Sequence, residues 1–187
     1  MNELVTVAIV VPCNNVEHIV DECINSLIRQ KYPQDKFSII AVNDGSTDNT
    51  REHLEVFKKH PNFYLFNHEK NKGLSATRNT GIKNSHSEIV CFLDSDMVIK
   101  PDWLQLIVAE FVAEEVIGVI GDTTLPKGEN PNMLDHYFYS AKRGARQFEE
   151  NSAIGWRWFL FNNTAVKRSA IKKTGLFDET FTSYGGE

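Results

Sequence analysis

Apolar positions in the first 120 residues follow two periods in alternation. Leu4–Val11 is a continuous apolar, β-branched run and predicts a strand buried on both faces. Ile19, Cys23 and Leu27, with Val20, Ile24 and Ile28, recur at four-residue spacing and predict one face of a helix, stopped by Pro33. Phe37–Val42 predicts a second strand. The polar turn Ser46–Asp48 follows, then a helix carrying Leu54, Phe57 and Lys58. Asn62–Phe66 predicts a third strand, Gly73–Lys83 a third helix, and Glu88–Leu93 a fourth strand. Pro101 suits the first turn of a fourth helix, with Leu104, Ile107, Val108, Phe111 and Val112 on one face. Val116–Ile120 predicts a fifth strand. Strands and helices alternating at these intervals predict βαβ units: an α/β fold with a mostly parallel central sheet and helices on both faces.

The texture changes after about residue 121. Pro126–Pro131 reads as a loop. Met133–Phe148 predicts a helix bearing the basic group Lys142, Arg143 and Arg146, which suits a solvated face or an anionic acceptor. Phe159–Val166 predicts a further strand and Arg168–Thr174 a short helix. We therefore expect one domain over 1–187, with 1–121 and 122–187 as its two halves. Ser183–Glu187 is an unusual place for a domain to finish, and a truncated chain is expected.

Composition narrows the classes. At 187 residues with 41% hydrophobic content, the chain has the size and apolar share of one globular domain. A formal net charge of −5 argues against bulk electrostatic binding of nucleic acid. No apolar run reaches the roughly 18 residues of a membrane span. Val7–Val11 lacks the basic flank and the length of a signal peptide. Three cysteines, Cys13, Cys23 and Cys91, form no C-x-x-C and cannot all pair, which suits a reducing, cytoplasmic setting. The six histidines show no paired metal-ligand spacing.

In open parallel sheets ligands bind beyond the carboxyl ends of the strands, so those positions hold the candidate chemistry. The first strand runs into Pro12-Cys13-Asn14-Asn15, where proline should end the ladder. Neither a G-x-G-x-x-G nor a Walker A sequence is present. The second ends in Asn43-Asp44-Gly45-Ser46-Thr47-Asp48. Gly45 suits a positive-φ turn and Asp48 the cap of the next helix, which leaves Asp44 as an exposed carboxylate able to accept from a nucleobase. Arg78 stands on a short helix with no charge partner nearby, ready for a salt bridge or for phosphate and base oxygens. The fourth strand ends in Asp94-Ser95-Asp96. On an extended chain residues i and i+2 point the same way, and two carboxylates so placed invite a cation whose shell substrate phosphates complete. A solvated turn is the alternative.

Five segments in this order, VAIVVPCNN, AVNDGSTDNT, NKGLSATRNTG, CFLDSDMVIKPDWL and GLFDETFTSYGGE, resemble the family 2 glycosyltransferases, over nearly the whole chain. The resemblance implies the GT-A fold, a Rossmann-like nucleotide-binding α/β sheet, and a nucleotide-sugar donor. It implies that Pro12, Asn14, Asp44, Asn71, Arg78, Asp94 and Ser95 bind the nucleotide sugar. It implies that Asp96 ligates Mn²⁺ or Mg²⁺ bridging the diphosphate. Asn162, Asn163, Tyr184, Gly185, Gly186 and Glu187 fall on the acceptor side. Asn14 stands where the family often has an aromatic residue, which loosens the expectation of uracil.

The implied reaction is metal-dependent, inverting transfer of a hexosyl or N-acetylhexosaminyl group, from a UDP-sugar in the first instance, to a glycan, lipid-linked or protein hydroxyl. The family motif continues beyond Gly-Gly-Glu with the aspartate that serves as base. That residue would follow Glu187, so no catalytic base is expected within the chain, and donor binding is expected with little or no transfer. Rival readings are a nucleotide-sugar-binding module without activity, a haloacid-dehalogenase-type phosphatase using Asp94 and Asp96, and a nucleotidyltransferase. The phosphatase motif belongs on a first strand, and the nucleotidyltransferase wants a glycine-rich basic loop that Pro12–Asn15 does not supply.

Overall fold

The computed structural model describes residues 4–124, 147–149 and 152–181, together with Met133 and Tyr139. The expected loop at 126–131, most of the expected helix at 133–148 with its basic group, and the 184–187 motif lie outside the described residues. Strands β1 (Val7–Cys13), β2 (Phe37–Asp44), β3 (Phe63–His68), β4 (Ile89–Leu93), β5 (Gly118–Ile120) and β6 (Asn163–Lys167) form one sheet in the order β3-β2-β1-β4-β6-β5. β1 pairs in parallel with β2 and β4, and β2 in parallel with β3. β6 runs antiparallel to both β4 and β5. The α/β, mostly parallel reading holds, and the strand from beyond residue 122 enters the middle of the sheet rather than its edge.

The helices whose ranges lie within the described residues connect and cover the strands: α1 (Val20–Ile28), α2 (Thr50–Glu55), α3 (Leu74–Lys83), α4 (Trp103–Ala109) and α5 (Arg168–Thr174). Alternation along β1 sorts them onto two faces. Val7, Ile9, Val11 and Cys13 pack in one core with Val20, Ile24 and Leu27 of α1, Leu54 of α2 and Leu104 of α4. Val10 points the other way, into a core with Ile82 of α3, Phe92, Phe161 and Ile171 of α5. Val7 to Val11 are each 0% exposed, as a strand buried on both faces requires.

Several boundaries differ from those expected. β1 starts at Val7, and Leu4 is exposed. Pro12 does not end the ladder: it pairs with Val42, and β1 continues to Cys13. The Val7 N–H bonds on the β2 side, and Thr6 O accepts from Ile89 of β4, so even-numbered residues face β4. Pairing with β4 stops at Val10, so the N–H that Pro12 lacks faces a side with no ladder left to complete. β2 and β3 also run two residues further than the apolar pattern suggested, through polar Asn43-Asp44 and Asn67-His68, because those residues pair with each other. α1 ends at Ile28, well short of Pro33. α2 begins at Thr50 with Asn49 at the cap position, not Asp48. β5 is shorter than the apolar run, and the last strand starts at Asn163, leaving Phe159 to pack edge-on against Phe161 at 5.3 Å. α5 coincides with the expected helix.

α3 lies close on β1 because Gly81 permits it. A Cβ at Gly81 would come 2.4 and 2.7 Å from the two methyls of Val10. Gly81→Ala ordinarily gains about 1 kcal/mol of helix propensity. Here overpacking of about 1–3 kcal/mol should reverse the sign, and urea denaturation should show a lowered midpoint. Burial also raises the pKa of all three thiols: Cys13 and Cys91 well up, and Cys23, with added repulsion from Asp96 and Asp94, to about 12. Native protein should therefore leave Cys13, Cys23 and Cys91 unreactive toward an aromatic disulfide reagent at neutral pH, and all should react once the chain is unfolded in urea.

Candidate functional site

The loops after β1 and β2 are fastened to each other by polar side chains. Asn15 adopts φ 54°, a left-handed conformation that asparagine tolerates. Its N–H donates to Ser46 Oγ at 3.0 Å, and its Oδ1 accepts from Thr47 N–H at 2.8 Å. Asn14 Nδ2 donates to the Asp44 carbonyl at 2.8 Å. Val16 N–H donates to Thr50 Oγ1, and Glu17 Oε2 accepts from the Asn49 N–H. Asp48 accepts from Thr50 N–H, at the first residue of α2, and from Glu17 N–H, so it satisfies a donor at that helix end and also ties two loops together. Burial works to raise the Asp48 pKa, but the Thr50 hydroxyl and those N–H groups outweigh it and hold the carboxyl below its ordinary value.

Asp44 is not the exposed carboxylate the sequence suggested. It is 4% exposed. Its Oδ1 meets His68 Nδ1 and accepts from Lys72 N–H at 2.9 Å, and its Oδ2 accepts from Gly73 N–H at 2.9 Å. The pairing of β2 with β3 sets Asp44 opposite His68, which accounts for the contact. Asp44 therefore has a structural role as well: it joins the end of β2 to the turn that starts α3. Asn71 is exposed, and its Oδ1 accepts from Gly73 N–H at 3.0 Å in the same turn.

At the end of β4 the backbone turns at once. Met97 N–H donates to Asp94 O at 3.2 Å, so Asp94-Ser95-Asp96 is not an extended stretch. The same-side argument therefore does not hold, and the two carboxylates occupy different settings. Asp94 is half-exposed with Oδ1 3.8 Å from Arg78 Nη2, Ser95 is buried, and Asp96 is exposed. Among the described residues no group of three His, Cys, Asp or Glu side chains forms a cage for a metal. An exposed aspartate beside a half-exposed one is a hard-oxygen donor set, and it suits Mg²⁺ or Mn²⁺ when phosphate oxygens supply further ligands.

Arg78 is also placed differently from expectation. It is 1% exposed, the largest fully buried side chain among the described residues. Its Nη2 donates to Phe161 O at 2.8 Å, and its guanidinium lies 5.7 Å from the Phe161 ring and 5.5 Å from that of Phe177. The adjacent Asn79, which the sequence reading did not single out, holds the same region. Its Nδ2 donates to Phe177 O and Glu179 Oε1, and its Oδ1 accepts from Phe177 N–H. The Asn79 bond, aided by Lys83, holds the Glu179 carboxyl below its ordinary pKa.

Of the acceptor-side residues, Asn162 uses its carbonyl to receive Asp94 N–H at 2.9 Å, which places it beside the β4 end. Asn163 is 3% exposed; it accepts from Trp103 Nε1 and donates to Asp122 O, so its amide is engaged within the fold. Tyr184, Gly185, Gly186 and Glu187 lie outside the described residues. Pro12, Asn14, Asp44, Asn71, Asp94, Ser95 and Asp96 thus gather at or beside the carboxyl ends of β1, β2 and β4. Asn15, His68 and Asn79 are the residues that sequence reading missed. Their signal was faint: an Asn-Asn pair at a strand end, a polar end to an edge strand, and an asparagine inside a helix. A groove of about 420 Å³ lined by Thr6, Lys36, Phe37, Asn62 and Tyr64 opens at the opposite, amino-terminal end of the strands.

A mostly parallel sheet covered on both faces, with polar loops and a carboxylate pair at its carboxyl edge, defines an α/β protein of the open-sheet class, in which ligands bind beyond the strand ends. The comparisons narrow this. The profile described as Glycosyl transferase family 2 matches residues 8–176, and the chain belongs to that family. The putative glycosyltransferase EpsH of Bacillus subtilis is 29% identical over 182 residues, covering 91% of this chain and 49% of EpsH. The glycosyltransferase GlyA of Streptococcus pneumoniae is 36% identical over 115 residues, covering 60% of this chain and 16% of GlyA. The chain thus spans half or less of the length of these relatives. The structure of S. aureus TarS 1-349 in complex with UDP aligns with TM-score 0.74 at 25% identity, over 96% of this chain and 52% of that one. The Pyrobaculum calidifontis mannosyltransferase PcManGT shares the fold with TM-score 0.76 at 24% identity, over 95% of this chain and 49% of that one. The GT-A fold is therefore shown, and family membership leaves the phosphatase reading of Asp94 and Asp96 without support.

The junction of these loops rests on Gly45. It has φ +63°, and a Cβ there would lie 2.4 Å from Asn71 N and from Lys70 C. Both neighbours are backbone and cannot swing aside. Gly45→Ala should destabilise the fold by about 2 kcal/mol or more in chemical denaturation, through strain and displacement of the 70–73 turn.

Proposed function

We propose that this chain binds a nucleoside diphosphate sugar at the carboxyl edge of its sheet and serves transfer of the sugar, with inversion, to a hydroxyl of a glycan, lipid-linked or protein acceptor. The observation that carries the reading is the convergence of the Asp44 loop, the α3 turn and the Asp94–Asp96 turn at the ends of adjacent parallel strands, in a member of family 2. UDP is the favoured nucleotide, because TarS was solved with UDP and with UDP-GlcNAc; PcManGT, which shares the fold, was solved with GDP-Man and Mn²⁺. A hexosaminyl group is a favoured cargo, since a Staphylococcus epidermidis poly-beta-1,6-N-acetyl-D-glucosamine synthase is 28% identical over 92% of this chain. Polysaccharide synthesis is the corresponding setting.

In this reading Pro12, Asn14, Asp44 and Asn71 line the nucleotide pocket, with Asp44 accepting from the base. Asp94 and Ser95 lie against the ribose and the start of the diphosphate. Asp96 would hold Mn²⁺ or Mg²⁺, whose chemistry when bound is to neutralise charge on the leaving diphosphate. Arg78 acts from within the core: it holds Asp94 and the Phe161 carbonyl and so sets the β4 end against the segment that leads to Asn162. Residues 1–121 form the donor half and 122–187 the acceptor half, with Asn162 and the 184–187 motif toward the acceptor. Asn163 contributes by fixing β6 rather than by facing the acceptor. Among the described residues no helix is long and apolar enough to cross a membrane. The cytoplasmic reading is supported by cysteines that are all unpaired and buried.

Thermal unfolding with Mn²⁺ and UDP tests the donor site. UDP at about 100 times its dissociation constant should add roughly 2.7 kcal/mol of stability, seen as a rise in Tm. Asp96→Ala should leave the Tm of the ligand-free protein nearly unchanged, since the side chain is exposed, and should abolish the metal-dependent part of the rise. A UDP effect indifferent to metal and to Asp96 would overturn the assignment of the metal site.

A further inference from the structure

We propose that His68 is a positioning residue that sets which nucleobase Asp44 accepts, by occupying one acceptor direction of its carboxylate. The proposal rests on the nucleotide-sugar reading above. A carboxylate offers about four acceptor directions, two on each oxygen. In Asp44, Oδ1 is filled on both, by His68 Nδ1 and Lys72 N–H, while Oδ2 receives Gly73 N–H alone. One direction, on Oδ2, is left for a ligand. Asp44 accepts one backbone N–H on each oxygen, and we assign the proton of the His68 contact to Nδ1. The other ring nitrogen is engaged too: Nε2 lies 2.9 Å from Thr80 Oγ1 of α3. The His68 side chain is 7% exposed, so solvent does not compete for either contact. The imidazole is held from both sides, between the end of β2 and α3.

The count has a consequence for base choice. Uracil and thymine present one N–H on the pairing edge, flanked by carbonyl oxygens, and need one acceptor. Guanine presents N1–H and an exocyclic NH₂ side by side, and pairs best with both oxygens of a carboxylate at once. With His68 and Lys72 on Oδ1, that two-oxygen arrangement is closed. A leucine in place of His68 fills similar space without a donor and reopens it. Asparagine keeps an amide N–H where Nδ1 stands and closes it again. His68 thus acts through Asp44 and does not itself touch the base.

The test is calorimetric titration of the full chain and of the variants His68→Leu and His68→Asn with UDP, GDP and inorganic pyrophosphate, each with Mn²⁺, and with Tm and circular dichroism recorded for each protein. We expect the unmodified chain to prefer UDP over GDP by about tenfold or more, the scale of one unsatisfied hydrogen bond. His68→Leu should narrow that ratio to about threefold or less and leave pyrophosphate affinity within about twofold. His68→Asn should retain the original ratio. A folded His68→Leu variant that keeps the ratio overturns the proposal, as does an unmodified chain that prefers GDP. An equal loss of UDP and pyrophosphate would assign His68 a purely structural role and overturn it as well. If His68→Leu does not fold, the asparagine variant decides, since a folded His68→Asn that loses the preference contradicts the mechanism. Failure of the unmodified chain to bind either nucleotide overturns the nucleotide-sugar reading itself, and the role of His68 falls with it.

Discussion

The burial of β1 on both faces and along both edges is the constraint on which the rest of the molecule depends. Each residue from Val7 to Val11 is fully buried, and the strand is paired on either side. A strand so enclosed cannot shift register without moving its apolar set to the wrong face of two cores at once. Its carboxyl end is therefore fixed in space, and the polar segments that follow β1, β2 and β4 must meet there. Side chains that cannot be buried among hydrocarbon collect at this edge, and they satisfy one another or await a ligand.

The polar edge is organised by hydrogen bonds between loops distant in sequence. Asn14 reaches Asp44, Asn15 reaches Ser46 and Thr47, and Asp44 reaches His68, Lys72 and Gly73. Below it, Arg78 and Asn79 link α3 to Phe161, Phe177 and Glu179. Buried polar groups are costly when unpaired, so each of these bonds also specifies one arrangement of the chain. The same residues that shape a binding edge hold the fold together, and a change at one of them disturbs both. Asp96 differs, because it stands exposed at the tip of a turn, outside these contacts.

The α/β class, the order of strands and helices along the chain and the polar carboxyl edge of the sheet were legible in the sequence. Apolar runs and four-residue spacings report burial directly, whereas Pro12 and Pro33 did not mark where β1 and α1 stop. α5 fell where its pattern put it, and the Asp-Gly and Asp-x-Asp segments fell at the ends of β2 and β4. The polar ends of β2 and β3 were not legible, because Asn43, Asp44, Asn67 and His68 are strand residues through their pairing and not through their hydropathy. The continuation of β1 through Pro12 depended on which side of the strand its missing N–H faced, and that is a property of the sheet.

Side-chain environment was the part that only tertiary structure decided. The sequence leaves Asp44 exposed because it has no structural task at the strand tip, and leaves Arg78 open to phosphate because no charge partner lies near it along the chain. Both are buried, since their partners come from β3, β4, the α3 turn and the segment at 161–177. Asn163 was read as lining a cleft, and its amide is engaged by Trp103 and Asp122. Local sequence determines backbone periodicity and the chemistry each residue carries. Contacts between residues many positions apart determine how much water and which donors surround that chemistry, and only the folded chain brings those residues together.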